Sequence, residues 1–291
     1  MNVPEILQPY TTSTVISADG TVIGYRQFGS GPGVVLMHGG MQASQLMMAL
    51  GISLADKFTI YIPDRRGRGM SGAPGDGYGM VKECEDLAAL LKKTGAHLVF
   101  GLSSGALISL QAALTLSGIE KVALYEPPLS IDHSIPRDWV PQYLQEIAER
   151  RFTAALITVL KGLQMDTDLP DIPRAVLEPL VEQRLRGEDL SGRPDDVSMW
   201  DLIPTQRLDM MLVDEMEETL ASFKDMKADV LLLSGEKSPA FLREQMDALG
   251  KVLPRSERVE FPGFGHTAPS EDGAERVGEE LRRFFVADNA D

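Results

Sequence analysis

Cysteine is nearly absent. Cys84 stands alone, so no internal disulfide can form, and it lies in the helix-like stretch Met80 to Lys93 without a histidine beside it, as an incidental or structural thiol would. Long apolar runs are absent as well: none approaches the roughly 18 to 20 residues needed to cross a bilayer. The N-terminus lacks the basic-then-apolar order of a secretory signal, and the expectation is a soluble, cytoplasmic protein. Basic residues are outnumbered, with 28 Lys and Arg against 43 Asp and Glu and a net charge of -15. That balance opposes nucleic-acid phosphates and anionic membrane surfaces and keeps the surface solvated. The expected partner is a small molecule, with no nucleic acid and no membrane; the charge itself says nothing about which small molecule. No internal repeat or low-complexity tract is present, and the oligomeric state stays open.

What is present is an alternation of strand-like and helix-like segments over 291 residues, the pattern of a mostly parallel sheet covered by helices. Thr14 to Ser17 and Val22 to Gln27 flank an Asp19-Gly20 turn and predict an antiparallel hairpin at one edge. Strands follow at Val34 to Met37, Phe58 to Ile62, His97 to Phe100 and Lys121 to Tyr125, with helices at Ala43 to Leu54 and Met80 to Lys93 between them. From residue 130 to residue 225 strand signals vanish. Val140 to Leu163 and Arg174 to Arg186 carry helical spacing between proline-bearing loops, which predicts a helical cap inserted into a core of residues 1–129 and 226–291. The alternation resumes with Val230 to Ser234, Ala240 to Leu249, Arg258 to Phe261 and Ala274 to Phe285.

The chemical signal is Gly101-Leu102-Ser103-Ser104-Gly105, a G-x-S-x-G pentapeptide between the buried strand ending at Phe100 and the helix-like Ala106 to Leu114. Glycines on both sides allow a sharp turn against the neighbouring backbone and hold the Ser103 hydroxyl up for attack. A serine hydroxyl is a weak nucleophile at neutral pH and needs a base, itself oriented by a carboxylate. Of the four histidines, His38 belongs to a strand-end turn, His97 to a strand and His133 to the cap. His266 follows the last strand in the loop Gly263-Phe264-Gly265-His266, where the carboxyl ends of parallel strands gather ligands.

His38-Gly39-Gly40, the loop Asp64-Arg65-Arg66-Gly67-Arg68-Gly69-Met70-Ser71, the Ser103 turn and the His266 loop occur in the order and spacing of one known group of proteins. Over nearly its whole length apart from the cap, the chain resembles the α/β-hydrolase fold superfamily. The resemblance implies an α/β fold with a mostly parallel central sheet flanked by helices, and no metal or organic cofactor. It implies backbone N–H donors to an oxyanion at Gly40 and Ser104; the glycines at 39 and 40 also suit a tight turn. In related proteins the loop from Asp64 to Ser71 braces the domain through Asp and Arg contacts; binding of a substrate carboxylate by Arg65, Arg66 or Arg68 is the other reading.

The pattern departs at the acid. Its usual Asp position, in Gly235-Glu236-Lys237-Ser238, holds Ser238, which has no charge to stabilise an imidazolium. Glu126, at the end of the preceding strand, is the better candidate, as in zearalenone-type lactonases and one group of haloalkane dehalogenases, and it keeps the chain order Ser, acid, His. Met41, Met210, Met211 and Trp200 are expected to line an apolar pocket, although core packing suits each methionine equally. The resulting expectation is a serine esterase or lactonase with the catalytic set Ser103, His266 and Glu126. Cleavage of a carbon–carbon bond by the same residues, and a non-catalytic ligand-binding role, stand as alternatives.

Overall fold

The computed structural model describes residues 9–165, 172–188 and 193–287. Residues 1–8 and 288–291 of the expected core, and 166–171 and 189–192 of the expected cap, lie outside the described residues.

Eight strands form one sheet in the order β1-β2-β4-β3-β5-β6-β7-β8. The edge hairpin joins β1 (Thr11–Ile16) to β2 (Val22–Gly29) in antiparallel register, and β2 pairs antiparallel with β4 (Thr59–Pro63). From there β4, β3 (Gly33–Met37), β5 (Leu98–Leu102), β6 (Lys121–Tyr125), β7 (Asp229–Gly235) and β8 (Ser256–Phe261) run parallel.

Side chains alternate faithfully along the central strands. Val35, Val99, Val122, Leu124, Val230 and Leu232 enter the core on one face. Leu36, Phe100, Ala123, Tyr125, Leu231 and Leu233 enter the core on the other. Burial on both faces explains why these strands read as continuous apolar runs. The first face is covered by α2 (Met80–Thr94), α3 (Ser104–Thr115) and α9 (Ala240–Val252), and the second by α1 (Met48–Leu54) and α10 (Ala274–Val286). In α10 the buried set Val277, Leu281, Phe284 and Phe285 keeps a helical period, so a single face meets the sheet. The chain leaves β3 toward β4 on one side and returns to β5 on the other. This reversal opens a crevice at the carboxyl ends of β3 and β5, the usual ligand position in such sheets.

Between β6 and β7 the described residues hold only helices: α4 (Val140–Ala148), α5 (Phe152–Gly162), α6 (Arg174–Glu188), α7 (Met199–Leu202) and α8 (Gln206–Glu215), besides 3-10 turns. Two expected helices differ in detail. The stretch from Ala43 to Leu54 divides into a 3-10 turn, Ser44–Met47, and α1, with the Ser44 N–H donating to Asp64 Oδ1 at 2.7 Å. The stretch from Val140 to Leu163 breaks at residues 149–151, where Arg150 has φ 57° and the Arg151 N–H bonds back to the Glu146 carbonyl. His97 stands just ahead of β5, exposed, with its ring at the Gly118 carbonyl.

The turn after β5 depends on close packing. A Cβ on Gly105 would lie 2.4 Å from the His38 carbonyl oxygen and 2.5 Å from that of Met37, and backbone atoms cannot swing aside. Gly105→Ala is therefore expected to lower unfolding free energy by about 1–3 kcal/mol, the usual range for overpacking. Gly118→Ala, with nothing within 4 Å of the added carbon, serves as the neutral comparison; equal urea midpoints for the two variants would contradict this account.

Candidate active site

Ser103 links β5 to α3 with φ 55° and ψ -124°, a conformation that an L-residue adopts only when its surroundings enforce it. Its N–H donates to the Tyr125 carbonyl at 2.9 Å and its carbonyl accepts from Ala106 and Leu107, so both ends of the turn are fixed. Glu126 (φ 49°) and Met41 (φ 49°) also occupy the left-handed region. Three of the strained non-glycine residues thus stand at the ends of β3, β5 and β6, around one crevice.

Glu126 is fully buried directly after β6. Its Oε1 accepts the Gly235 N–H at 2.7 Å, and its Oε2 lies 2.6 Å from His266 Nδ1. The carboxylate is thereby anchored to the end of β7 while it faces the imidazole. Gly235 makes this approach possible, since a Cβ there would sit 2.3 Å from the Phe264 carbonyl. The His266 loop is tied down from the sheet by Tyr125, whose hydroxyl donates to the Gly265 carbonyl at 2.8 Å. At the usual acid position, Ser238 is buried with no partner for its hydroxyl among the described residues. Glu236 points elsewhere, its Oε2 accepting the Gly263 N–H at 2.8 Å.

Ser103, His266, Gly40, Ser104, Met41 and Met210 line one cavity of about 140 Å³. That is close to the ~150 Å³ of an apolar cavity able to take up benzene. Ile135, Trp139, Leu163, Val213 and Phe241 supply much of the remaining apolar wall. Two expected lining residues are elsewhere. Trp200 tilts against Phe152 and packs in the same cluster as Met41 and Met210 without lining the cavity itself, and Met211, one residue out of phase with Met210 on α8, is 43% exposed. Met47 is packed into the core.

Beneath the crevice lies a buried charge cluster. Arg65 donates to Glu83 Oε1, to Ser104 Oγ at 2.9 Å and to Asp209 Oδ1 at 2.8 Å, while Arg68 donates to Asp209 Oδ2 at 2.6 Å and to the Gly39 carbonyl at 3.1 Å. Arg66 pairs with Asp86 and Asp19. All three arginines are engaged inside the protein, as bracing requires. Burial opposes ionisation of Asp209, but Arg68 and Arg65 outweigh it and hold the carboxyl below its ordinary value of 3.8. Asp209 and the adjacent Gln206 reach the cavity wall from α8. In sequence Asp209 resembles any polar position on an amphipathic helix, and only the fold brings it to Arg65.

The family resemblance seen in the sequence extends to direct comparison. A sequence model of the alpha/beta hydrolase family matches residues 34–280. The chain is 25% identical over 248 residues to a 2-(acetamidomethylene)succinate hydrolase of Mesorhizobium japonicum, covering 83% of this chain and 84% of that protein. The crystal structure of an alpha/beta hydrolase from Sphaerobacter thermophilus superimposes with TM-score 0.74 and 31% identity, over 93% of this chain and all of that one. The enol-lactonase from Burkholderia xenovorans shares the fold, with TM-score 0.68 and 19% identity over 96% of this chain and 100% of its own. No helix among the described residues is long and apolar enough to cross a membrane.

His38 gives the site a measurable pH signature. The Arg65 N–H donates to its Nε2 at 3.1 Å, so the neutral ring carries its proton on Nδ1 and donates it to the Gly39 carbonyl at 3.0 Å. Burial, reinforced by Arg68 and Arg65, holds His38 well below the ordinary imidazole value of 6.5. Below pH 6.5 the unfolded chain therefore takes up a proton that the folded chain refuses. This contribution to stability is complete above about pH 6.5 and is lost on acidification at about 1.4 kcal/mol per pH unit until the folded value is reached. Urea titrations between pH 7.5 and 5 should show this slope, and His38→Asn should reduce it by about one proton.

Proposed function

Because the chain belongs to the alpha/beta hydrolase family, and is thus a hydrolase, we propose that it is a serine hydrolase that cleaves a small to medium, largely apolar carboxylic ester or lactone through an acyl-enzyme. The observation that carries this reading is the pairing of His266 Nδ1 with the buried Glu126 carboxylate, on a cavity that Ser103 also lines. A histidine whose Nδ1 proton is held by a carboxylate keeps Nε2 free to accept a proton, which is what a serine nucleophile requires.

In this mechanism Ser103 Oγ attacks the carbonyl carbon and its proton passes to His266. The charge that grows on the carbonyl oxygen meets the N–H groups of Gly40 and Ser104. Ser104 is the first residue of α3, so its N–H has no partner within the helix. Collapse of the tetrahedral intermediate expels the alkoxide, which takes the proton from His266; in a lactone it remains tethered to the acyl group. Water, deprotonated by His266, then attacks the acyl carbon; the bond from that carbon to Ser103 Oγ breaks, the acid leaves, and Ser103 takes the proton back from His266. Glu126 stabilises the imidazolium at each transfer. No metal or organic cofactor enters these steps. Residues 130–225 act as a cap over a core of residues 1–129 and 226–291, and Met41 and Met210 contact the apolar part of the substrate. The lactonase among the structural neighbours agrees with this substrate class.

A fluorophosphonate probe tests the nucleophile: the wild-type chain is expected to be labelled and Ser103→Ala to remain unlabelled. Glu126→Gln should reduce kcat on p-nitrophenyl butyrate by about 10³- to 10⁴-fold, with an unchanged circular dichroism spectrum. Folded wild-type protein that resists the probe overturns the proposal, and a Glu126→Gln variant of normal activity removes Glu126 from it.

A further inference from the structure

The buried cluster reaches both places where an oxyanion would be held, and it does so through one carboxylate. Asp209 Oδ1 accepts the Ser104 hydroxyl proton at 2.7 Å and an Arg65 Nη1 proton at 2.8 Å. The Ser104 side chain, squeezed between Arg65 and Asp209, fixes the rotation of the residue whose N–H opens α3. Asp209 Oδ2 accepts from Arg68 Nη2 at 2.6 Å, and the other arm of that guanidinium donates to the Gly39 carbonyl at 3.1 Å. Carbonyl and N–H of one trans peptide point in opposite directions. With the Gly39 oxygen drawn toward Arg68 and His38, the Gly40 N–H is turned away from them. A Cβ on Gly39 would lie 3.1 Å from the Ser103 Cβ, so this peptide runs alongside the nucleophile.

From these contacts we infer that Asp209 is a positioning residue which aligns both N–H donors for the tetrahedral intermediate, through Ser104 on one side and through Arg68 and Gly39 on the other. The inference rests on the serine-hydrolase reading above. It also explains a costly arrangement. Two fully buried guanidinium groups and two buried carboxylates, Arg65 and Arg68 with Glu83 and Asp209, lie beneath the cavity, where apolar packing of similar volume would serve stability equally well. A network that must hold peptide dipoles still before charge develops has a reason to be rigid and polar.

Positioning and simple bracing differ in what they change. If Asp209 aligns the donors, Asp209→Asn lowers kcat by about a hundredfold, the lower end of the loss typical of deleting one donor outright. KM for p-nitrophenyl butyrate stays within about threefold, and affinity for an alkyl trifluoromethyl ketone falls in step with kcat/KM, because its hemiketal places an alkoxide where the oxyanion forms. Ser104→Ala, which keeps the N–H and removes only the hydroxyl link, should show the same pattern at about tenfold; it decides the matter if Asp209→Asn does not fold. Folded variants with wild-type kcat and ketone affinity, or with a loss confined to KM, overturn the inference while leaving the serine-hydrolase reading intact. A wild-type chain that neither turns over the ester nor reacts with a fluorophosphonate overturns both.

Discussion

The site depends on a steric constraint, the passage of the chain through a left-handed turn at Ser103 between a buried strand and a buried helix. Such a turn is unfavourable in isolation, and it persists because β5 and α3 are both locked into the sheet and its covering layer. Gly101 and Gly105 complete the arrangement by letting α3 press against the ends of β3 and β5, where a Cβ at either position would meet backbone within 2.5 Å. The same closeness brings His38, Gly39 and Gly40 to Ser103. Once the turn is set, the remaining groups need only come from neighbouring strand ends, and they do.

Glu126 illustrates how parallel strands make such sites adaptable. The ends of β6 and β7 are adjacent, with Tyr125 opposite Leu233 in register. A carboxylate placed after either strand can therefore reach the loop after β8. In this chain the end of β7 contributes a backbone N–H to the Glu126 carboxylate instead of an acid of its own. The departure visible in the sequence at Ser238 is thus matched by a local rearrangement that leaves the sheet undisturbed.

The succession of strands and helices along the chain, the hairpin edge and the turn at Ser103 are legible because they rest on local rules: apolar runs and helical spacing, Asp-Gly turns and the need for glycine where backbones touch. The neighbourhood of Glu126 and His266 was accessible only indirectly, through an uncharged residue where a carboxylate was expected. Asp209 was not accessible at all. Its partners Arg65 and Ser104 are 144 and 105 positions away, and nothing in the helical period of α8 separates a buried charge from a solvated one. Helical phase also accounts for Met211 and Trp200, since methionine and tryptophan in a helical segment show apolar content but not the direction in which the helix turns them. The break between α4 and α5 escaped because Arg150 adopts a positive φ that its residue type does not announce.

The placement of Asp209 bears on how the molecule comes apart. It lies on α8, in the segment inserted between β6 and β7, whereas Arg65 and Arg68 belong to the loop after β4 and Ser104 to α3. Moving α8 away would take from Arg65 and Arg68 the counter-ion they share; Arg65 keeps Glu83, whereas Arg68 loses its carboxylate partner, and breaking such a pair costs about 3–5 kcal/mol. The ion pairs thereby couple the inserted segment to the core at this seam and oppose an independent opening of α8.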